Sequence, residues 1–474
     1  MSRPDALRIQ PAGIGPSMLR AFMRLATIGA LALFAASQAA WAVPAFNRQT
    51  GQNCVACHAG GQFPELTAYG RLFKLTGYTL GSRAIPVSVM AVEGYTRTQH
   101  TAGEDPSNFP KNGAPAFQSA SVFVAGKVTD NIGMFAQVTY DNYAQQNDQG
   151  EWVGHTSADN MDFRYADRLI DLHRDLIYGV TVNNNPSVQD VWNSAQAWAY
   201  PYVQSSFQVS PSTSGPLLTG GLAQQVAGAG AYLFWNRTLY AEMSLYRTAN
   251  GVWSFMSHGI ANGDQTKLKG ANPYWRVALS HEFGAHSIMG GVFGLDADVY
   301  PDNQNPTGPT SRYRDVGVDA QYQYILDPHA VTVTASYIHE KTSWAQPLVD
   351  AGSVSNDSDT LDQVRIKGSY VYDAHYGASL AWFRTSGSTD QALYGGGVDE
   401  TGAPIGAPVT GNLAGNPRTD GFIAEVFWLP VQWVRVGAQY WIYNRFNGAS
   451  SNYDGFGRNA RDNNTLFVYV WGAF

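Results

Sequence analysis

The chain has 474 residues, of which 44% are hydrophobic, 13% aromatic and only 14% charged, with a net charge of −7. Ordinary soluble domains carry roughly 25% charged residues, and dedicated nucleic-acid binders are basic, so neither description fits. No apolar run reaches the length of a transmembrane helix, about 20 residues, and the many aromatic and β-branched residues exclude a disordered chain. What survives is a large β protein rich in glycine and tyrosine.

At the N-terminus, Arg20 and Arg24 precede the apolar segment 25–36, which leads into Ala40-Trp41-Ala42. A basic start, a short apolar stretch and a small-x-small site describe a secretory signal peptide over residues 1–42. Met18 offers a second candidate start. An exported chain with many cysteines would be a disulfide scaffold, but this one has two, Cys54 and Cys57, followed at once by His58.

Cys54-Val55-Ala56-Cys57-His58 fits C-x-x-C-H, the attachment motif for c-type haem. Two thiols on one turn reach the two vinyl groups, and the adjacent imidazole becomes an axial ligand of the iron. A zinc site would need a second cysteine pair, and a redox dithiol would need βαβ surroundings. The expected cofactor is one covalently attached c-type haem, held by Cys54 and Cys57 with His58 on the iron.

Residues 63–74 predict a short helix with Pro64 at its first position and Gly77 past its end. Leu66, Tyr69, Gly70 and Phe73 share one face that would cover the haem, with Gly70 allowing close approach. The Pro64 carbonyl is placed to accept from the His58 ring and fix it. Arg48, Arg71 and Lys74 are candidate partners for the haem propionates, the alternative being solvated heads. For the sixth ligand, Met90 and His100 are the nearest residues of suitable type, and the choice stays open. Met90 falls in an alternating strand, where an apolar wall residue is the competing role. The head, residues 43–82, is too short to bury a haem unaided, so residues 83–474 must supply the other walls.

From residue 84 onward, alternating segments recur to the end. Val316, Val318, Ala320, Tyr322 and Tyr324 alternate with Asp315, Gly317, Asp319, Gln321 and Gln323, and Val364, Ile366, Gly368 and Tyr370 alternate with Arg365, Lys367 and Ser369. Period two with one apolar and one polar face is the transmembrane β-strand pattern. Sixteen segments qualify, from 84–97 and 117–128 through 161–170 to 432–446 and 463–474. Very short turns, for example at Asn236-Arg237 and Pro430-Val431, alternate with long Asn/Asp/Gly/Pro-rich loops such as 143–160 and 184–222. The expected fold is all-β: a sixteen-stranded antiparallel outer-membrane β-barrel with a small N-terminal haem-binding plug on the periplasmic side or in the lumen. Trp235, Phe283, Tyr372, Tyr376, Trp428 and Trp433 sit beside the short turns as an aromatic girdle. Glu242, Arg276, Asp296, Asp298, Arg365, Lys367, Glu425 and Arg435 are expected to face inward.

The head resembles that of the fused outer-membrane cytochrome–porin family of iron-oxidising type. The residues that carry the resemblance are Phe46-x-Arg48-Gln49-Thr50-Gly51-x-x-Cys54-x-x-Cys57-His58, Phe63-Pro64-Glu65-Leu66-x-x-Tyr69-Gly70-Arg71-x-Phe73-Lys74 and Gly77-Tyr78. The barrel is similar only in architecture. The resemblance implies a single haem plugging the barrel and relaying electrons inward from an extracellular donor such as Fe(II). A periplasmic cytochrome or copper protein would receive them. Physical reasoning adds that one haem is far smaller than a hydrocarbon core about 30 Å thick, so the donor must reach it through the lumen. Glu104, Asp105, Asp357 and Asp359 lie in loops at the expected mouth and would attract hard cations, although acidic loops are common without a dedicated site. The alternatives are a diffusion porin with haem as a structural plug, and a haem enzyme acting on a small molecule. Outer-membrane lipid is the expected surrounding and nucleic acid is not an expected partner.

Overall fold

The computed structural model describes residues 44–61, 64–101, 110–147, 151–213, 215–258, 265–395 and 407–474. The leader expected over residues 1–42 lies outside these, as do Phe63, Glu104 and Asp105.

Sixteen strands form one closed antiparallel barrel. They are β1 (Val87–Thr98), β2 (Pro115–Lys127), β3 (Ile132–Gln146), β4 (Trp152–Ile170), β5 (Asp175–Asn183) and β6 (Val226–Trp235). Next come β7 (Leu239–Thr248), β8 (Asn272–Phe283), β9 (His286–Val299), β10 (Ser311–Leu326) and β11 (His329–Ser343). The last are β12 (Ser358–Tyr372), β13 (Tyr376–Gly387), β14 (Thr419–Val431), β15 (Val434–Arg445) and β16 (Thr465–Ala473). Each strand pairs with its sequence neighbours, and β1 closes on β16 in a register running from Met90↔Ala473 to Thr98↔Thr465. Closure leaves no strand edge unpaired, the condition for placing backbone in lipid.

The two faces of each strand are inverted relative to a soluble protein. On β10, Val316 and Val318 are 54% and 47% exposed, whereas Asp315, Asp319, Gln321 and Gln323 are buried. A pleated strand sends successive side chains to opposite faces, so an apolar outer band and a polar interior follow directly from the alternation. Trp235, Phe283, Tyr372, Tyr376 and Trp428 are exposed beside the short turns. Those turns share one end of the barrel with the start of β1 and the end of β16, and the long connections occupy the other.

Three expectations change. Strand β4 begins at Trp152, not near residue 161, because β3 and β4 continue as a paired ribbon to Gln146↔Trp152, with two register shifts on the way. Those shifts erase the alternation that would have marked the strand. Asp296 and Asp298 face outward, where Asp296 pairs with Arg312 at 2.6 Å and with Arg314 at 3.6 Å. The inner positions of β9 are instead Phe293, Leu295 and Ala297, which pack against Leu218 and Leu222. That packing reveals the third change: the long segment between β5 and β6 is not an external loop. It folds into the lumen and buries Val188, Asp190, Val191, Trp192 and Ala195 completely or nearly so.

The head also lies within the barrel, at the short-turn end. It comprises α1 (Pro44–Thr50), α2 (Cys54–Cys57) and α3 (Ala68–Leu75). The helix expected from Pro64 starts at Ala68, because the Thr67 side chain accepts from the Gly70 amide at 3.1 Å and caps it. The stretch before it is extended and pairs with the C-x-x-C-H segment: Ala59 N–H donates to Glu65 O at 2.8 Å, and Thr67 N–H to Cys57 O at 2.9 Å. Gly77 follows the helix with φ +70°, a left-handed residue that lets Tyr78 N–H return to Phe73 O at 3.0 Å, as such a terminus requires. Gln49 ties the head to the wall, donating to Tyr78 O and Leu80 O and accepting from Lys127 N–H.

Candidate functional site

One turn of helix carries both cysteines, and three contacts hold it. The amide of His58 donates to Cys54 O at 2.8 Å. The amide of Cys54 donates to Gln432 Oε1 at 2.9 Å, in the β14–β15 turn. Helix α3 presses on the Cys57 backbone so closely that a Cβ at Gly70 would lie 2.1 Å from Cys57 O. Gly70 thus permits a close approach to the motif's own backbone, and it also lines the cavity described next.

Cys54, Cys57 and His58 line a single cavity of about 580 Å³, within the range of cofactor pockets. Pro64, Leu66, Phe73 and Lys74 of the head, Met90 on β1, Phe123 and Phe135 on the wall, Trp198 and Tyr202 of the inward segment, and Arg365 on β12 share it. Burial lowers the His58 pKa to about 4, so its imidazole is neutral at physiological pH and has a lone pair to give. Its Nδ1 is buried with no partner among the described residues. Burial raises Cys54 to about 12 and Cys57 to about 11, which keeps both thiols protonated and disfavours a thiolate redox pair.

These features fit the haem that the motif implies. Two thiols and a neutral imidazole open on one cavity lined by several aromatic rings among polar side chains, and a buried ring nitrogen lacks a partner.

The remaining predicted residues divide. Phe73 lines the cavity, edge-on to Phe46 at 4.9 Å, and Met90 lines it from β1. Pro64 lines it too, but its carbonyl accepts from Asn193 Nδ2 at 2.7 Å, not from the His58 ring. Tyr69 is 36% exposed and borders other surroundings. Arg48 donates to the carbonyls of Ile85 and Val87. Arg71 pairs with Glu282 at 2.6 Å and donates to Gln323 Oε1 at 2.9 Å. Lys74 reaches the cavity, with its ammonium already held by Val188 O, Asp190 O and Asn193 Oδ1. Arg48 and Arg71 thus lie off the cavity and are committed to protein oxygens. At the mouth, Asp359 is buried and accepts from Trp344 and Asn356, while Asp357 is exposed. Among the described residues no group of three His, Cys, Asp or Glu converges on a metal position.

Sequence reasoning missed Trp198 and Tyr202, which sit in a stretch without periodicity. It placed Arg365 in the lumen but not at the cavity.

Elsewhere buried ion pairs line the lumen and tie the inward segment to the wall. Arg164 pairs with Asp162 at 2.7 Å and Arg276 with Asp319 at 2.8 Å, each pair essentially inaccessible. Asp190 of the inward segment lies 3.4 Å from Arg276, and Ser194 donates to Asp319 at 2.7 Å. Glu65 of the head pairs with Lys367 and accepts from Tyr202 at 3.0 Å.

Fold and site together define a porin-like barrel of outer-membrane type with an internal head carrying C-x-x-C-H. No family profile and no curated protein matches the chain. Among solved structures it is similar to OprB of Pseudomonas putida, with a TM-score of 0.46 and 11% identity over 82% of this chain and 94% of that one. It is similar also to the outer-membrane channel DcaP of Acinetobacter baumannii, with a TM-score of 0.44 and 12% identity over 82% and 96%. The fold assignment rests on the strand ladder itself.

Proposed function

We propose that the protein is an outer-membrane electron conduit, taking electrons from an extracellular reductant, Fe(II) first among those to test, and delivering them to a periplasmic cytochrome or copper protein. The observation that carries this reading is the opening of both thiols and the imidazole of C-x-x-C-H on one cavity inside a barrel whose lumen also holds the segment after β5. Its resemblance to the cytochrome–porin head supports the donor class. Barrels of this type place short turns toward the periplasm, which would set the head at that end.

In this reading Cys54 and Cys57 anchor one c-type haem and His58 supplies its neutral imidazole. The cofactor would supply a one-electron couple whose potential depends on ligation, burial and hydrogen bonding. Thr67 and Gly70 hold the motif's backbone against α3. Phe73, Met90, Trp198 and Tyr202 exclude water from the cavity.

Stopped-flow absorbance of the purified protein in detergent tests the reading. Fe(II) should reduce the oxidised haem bands, and Cys57→Ala should abolish electron transfer across a vesicle wall while the barrel assembles normally. Reduction by dithionite but not by Fe(II) would keep the conduit and discard iron. Continued transfer by Cys57→Ala would end the proposal.

The barrel architecture favours a second reading, a diffusion porin in which the head and inward segment narrow the channel. Large steady single-channel currents from the haem-loaded protein would select it.

A further inference from the structure

We infer that Arg365 receives a carboxylate inside the luminal cavity, and that this carboxylate is a propionate of the haem anchored at Cys54 and Cys57. The inference rests on the haem reading above.

Arg365 stands on β12 between two buried inward neighbours, Gln363 and Lys367, 3% and 4% exposed, while Ile366 on the other face is 45% exposed. It lines the same cavity as Cys57 and His58. It also borders a small adjoining cleft with Tyr200, Tyr202 and Lys367. Among the described residues its guanidinium makes no hydrogen bond, ion pair or ring contact.

Its luminal counterparts are all engaged. Arg71, Arg164, Arg276, Lys367 and Arg435 each pair with a carboxylate, and Lys74 is held by two carbonyls and an amide oxygen. A cation withdrawn from bulk water without a counter-charge is costly. A guanidinium fork also matches a carboxylate in bidentate fashion. Among the described residues the interior thus keeps one luminal cation without a counter-charge, on the cavity into which the C-x-x-C-H motif opens. The carboxylates it could meet are those of the cofactor or of a diffusing solute. A place on the same cavity as the attachment residues favours the cofactor.

The test uses the full-length, haem-loaded protein with R365Q and R365K. Haem content is read from the pyridine haemochrome spectrum, barrel integrity from heat-modifiable gel mobility, and midpoint potential by spectroelectrochemistry from about pH 5 to about pH 8, above the ordinary carboxylate range. An Arg-paired carboxylate stays ionised and neutralised, so the wild-type potential should vary little with pH. In R365Q the uncompensated carboxylate should favour the oxidised form roughly tenfold at neutral pH, about 59 mV for one electron. Its potential should then fall as pH rises through the carboxylate's own titration. R365K, which restores charge without the fork, should lie between the two and decides the matter if R365Q does not assemble.

Wild-type potential and pH profile in a haem-replete R365Q would overturn the proposal. So would an unchanged potential with anion selectivity lost in planar bilayers, which would assign Arg365 to a diffusing carboxylate. Absence of covalent haem from the wild-type protein would remove the haem reading itself, and this inference with it.

Discussion

The two arcs of the lumen differ in how they treat charge. Along β4 to β11, Asp162, Arg164, Asp190, Arg276 and Asp319 form closed sets in which each ion has a partner and almost no exposure. Along β12 to β16 and β1 to β3, the wall instead borders the cavity, where the His58 Nδ1 is buried without a partner and Arg365 has no ion pair among the described residues. A protein interior satisfies its buried polar groups. Buried charges in the first arc are neutralised within the protein, whereas the second arc, beside its own pairs Lys367–Glu65 and Arg435–Glu425, holds a cation that a bound group could neutralise.

The largest expected effect comes from breaking the ion-paired first arc. Arg276→Met leaves Asp190 and Asp319 buried without their cation and should cost about 3–5 kcal/mol. It would be read as a lower temperature for heat-modifiable unfolding and as larger single-channel currents. Adding Asp190→Asn and Asp319→Asn should recover much of the loss, because the uncompensated charges are then gone. If Arg276→Met behaves like wild type, ion pairing does not seal this arc.

The lipid-facing wall sets the scale for comparison. Val318→Arg places a charge near the middle of β10 on the outer face and should cost about 2–4 kcal/mol. Unfolding in lipid vesicles by urea would measure it. A loss of similar size in detergent and in a bilayer of any thickness would argue that this face does not contact hydrocarbon.

On the cavity side, Gly70→Ala forces a methyl into the Cys57 carbonyl. Overpacking of this kind costs about 1–3 kcal/mol. The expected result is reduced covalent haem at unchanged barrel stability, measured by haem absorbance per protein. Full haem content in this variant would show that the motif does not depend on α3. The smallest effect is that of Thr67→Ala, which removes the helix cap at a cost of about 1 kcal/mol. It should raise hydrogen exchange in α3 while leaving the strands protected.

Some of this was legible in the sequence because physics left it no freedom. Lipid demands apolar side chains on every second residue, so Val316, Val318 and Ile366 announced β10 and β12. Where lipid contact ends, the rule lapses. Asp296 and Asp298 turned outward near the strand's far end, where Asp296 pairs with Arg312 and Arg314, and the β3–β4 ribbon continued through residues that read as loop. The C-x-x-C-H motif was legible because its five residues are contiguous. Its setting was not: Trp198, Tyr202 and Arg365 reach it from distant positions with no spacing rule between them.

The sequence alone therefore determined the sixteen-stranded barrel, its inverted faces and the C-x-x-C-H head, since each follows from local periodicity or adjacency. Only the tertiary structure decided that the segment after β5 fills the lumen, that Arg71 belongs to Glu282, and that Arg365 belongs to no residue described. Pairing among buried charges depends on which side chains meet in space, and no local pattern records it.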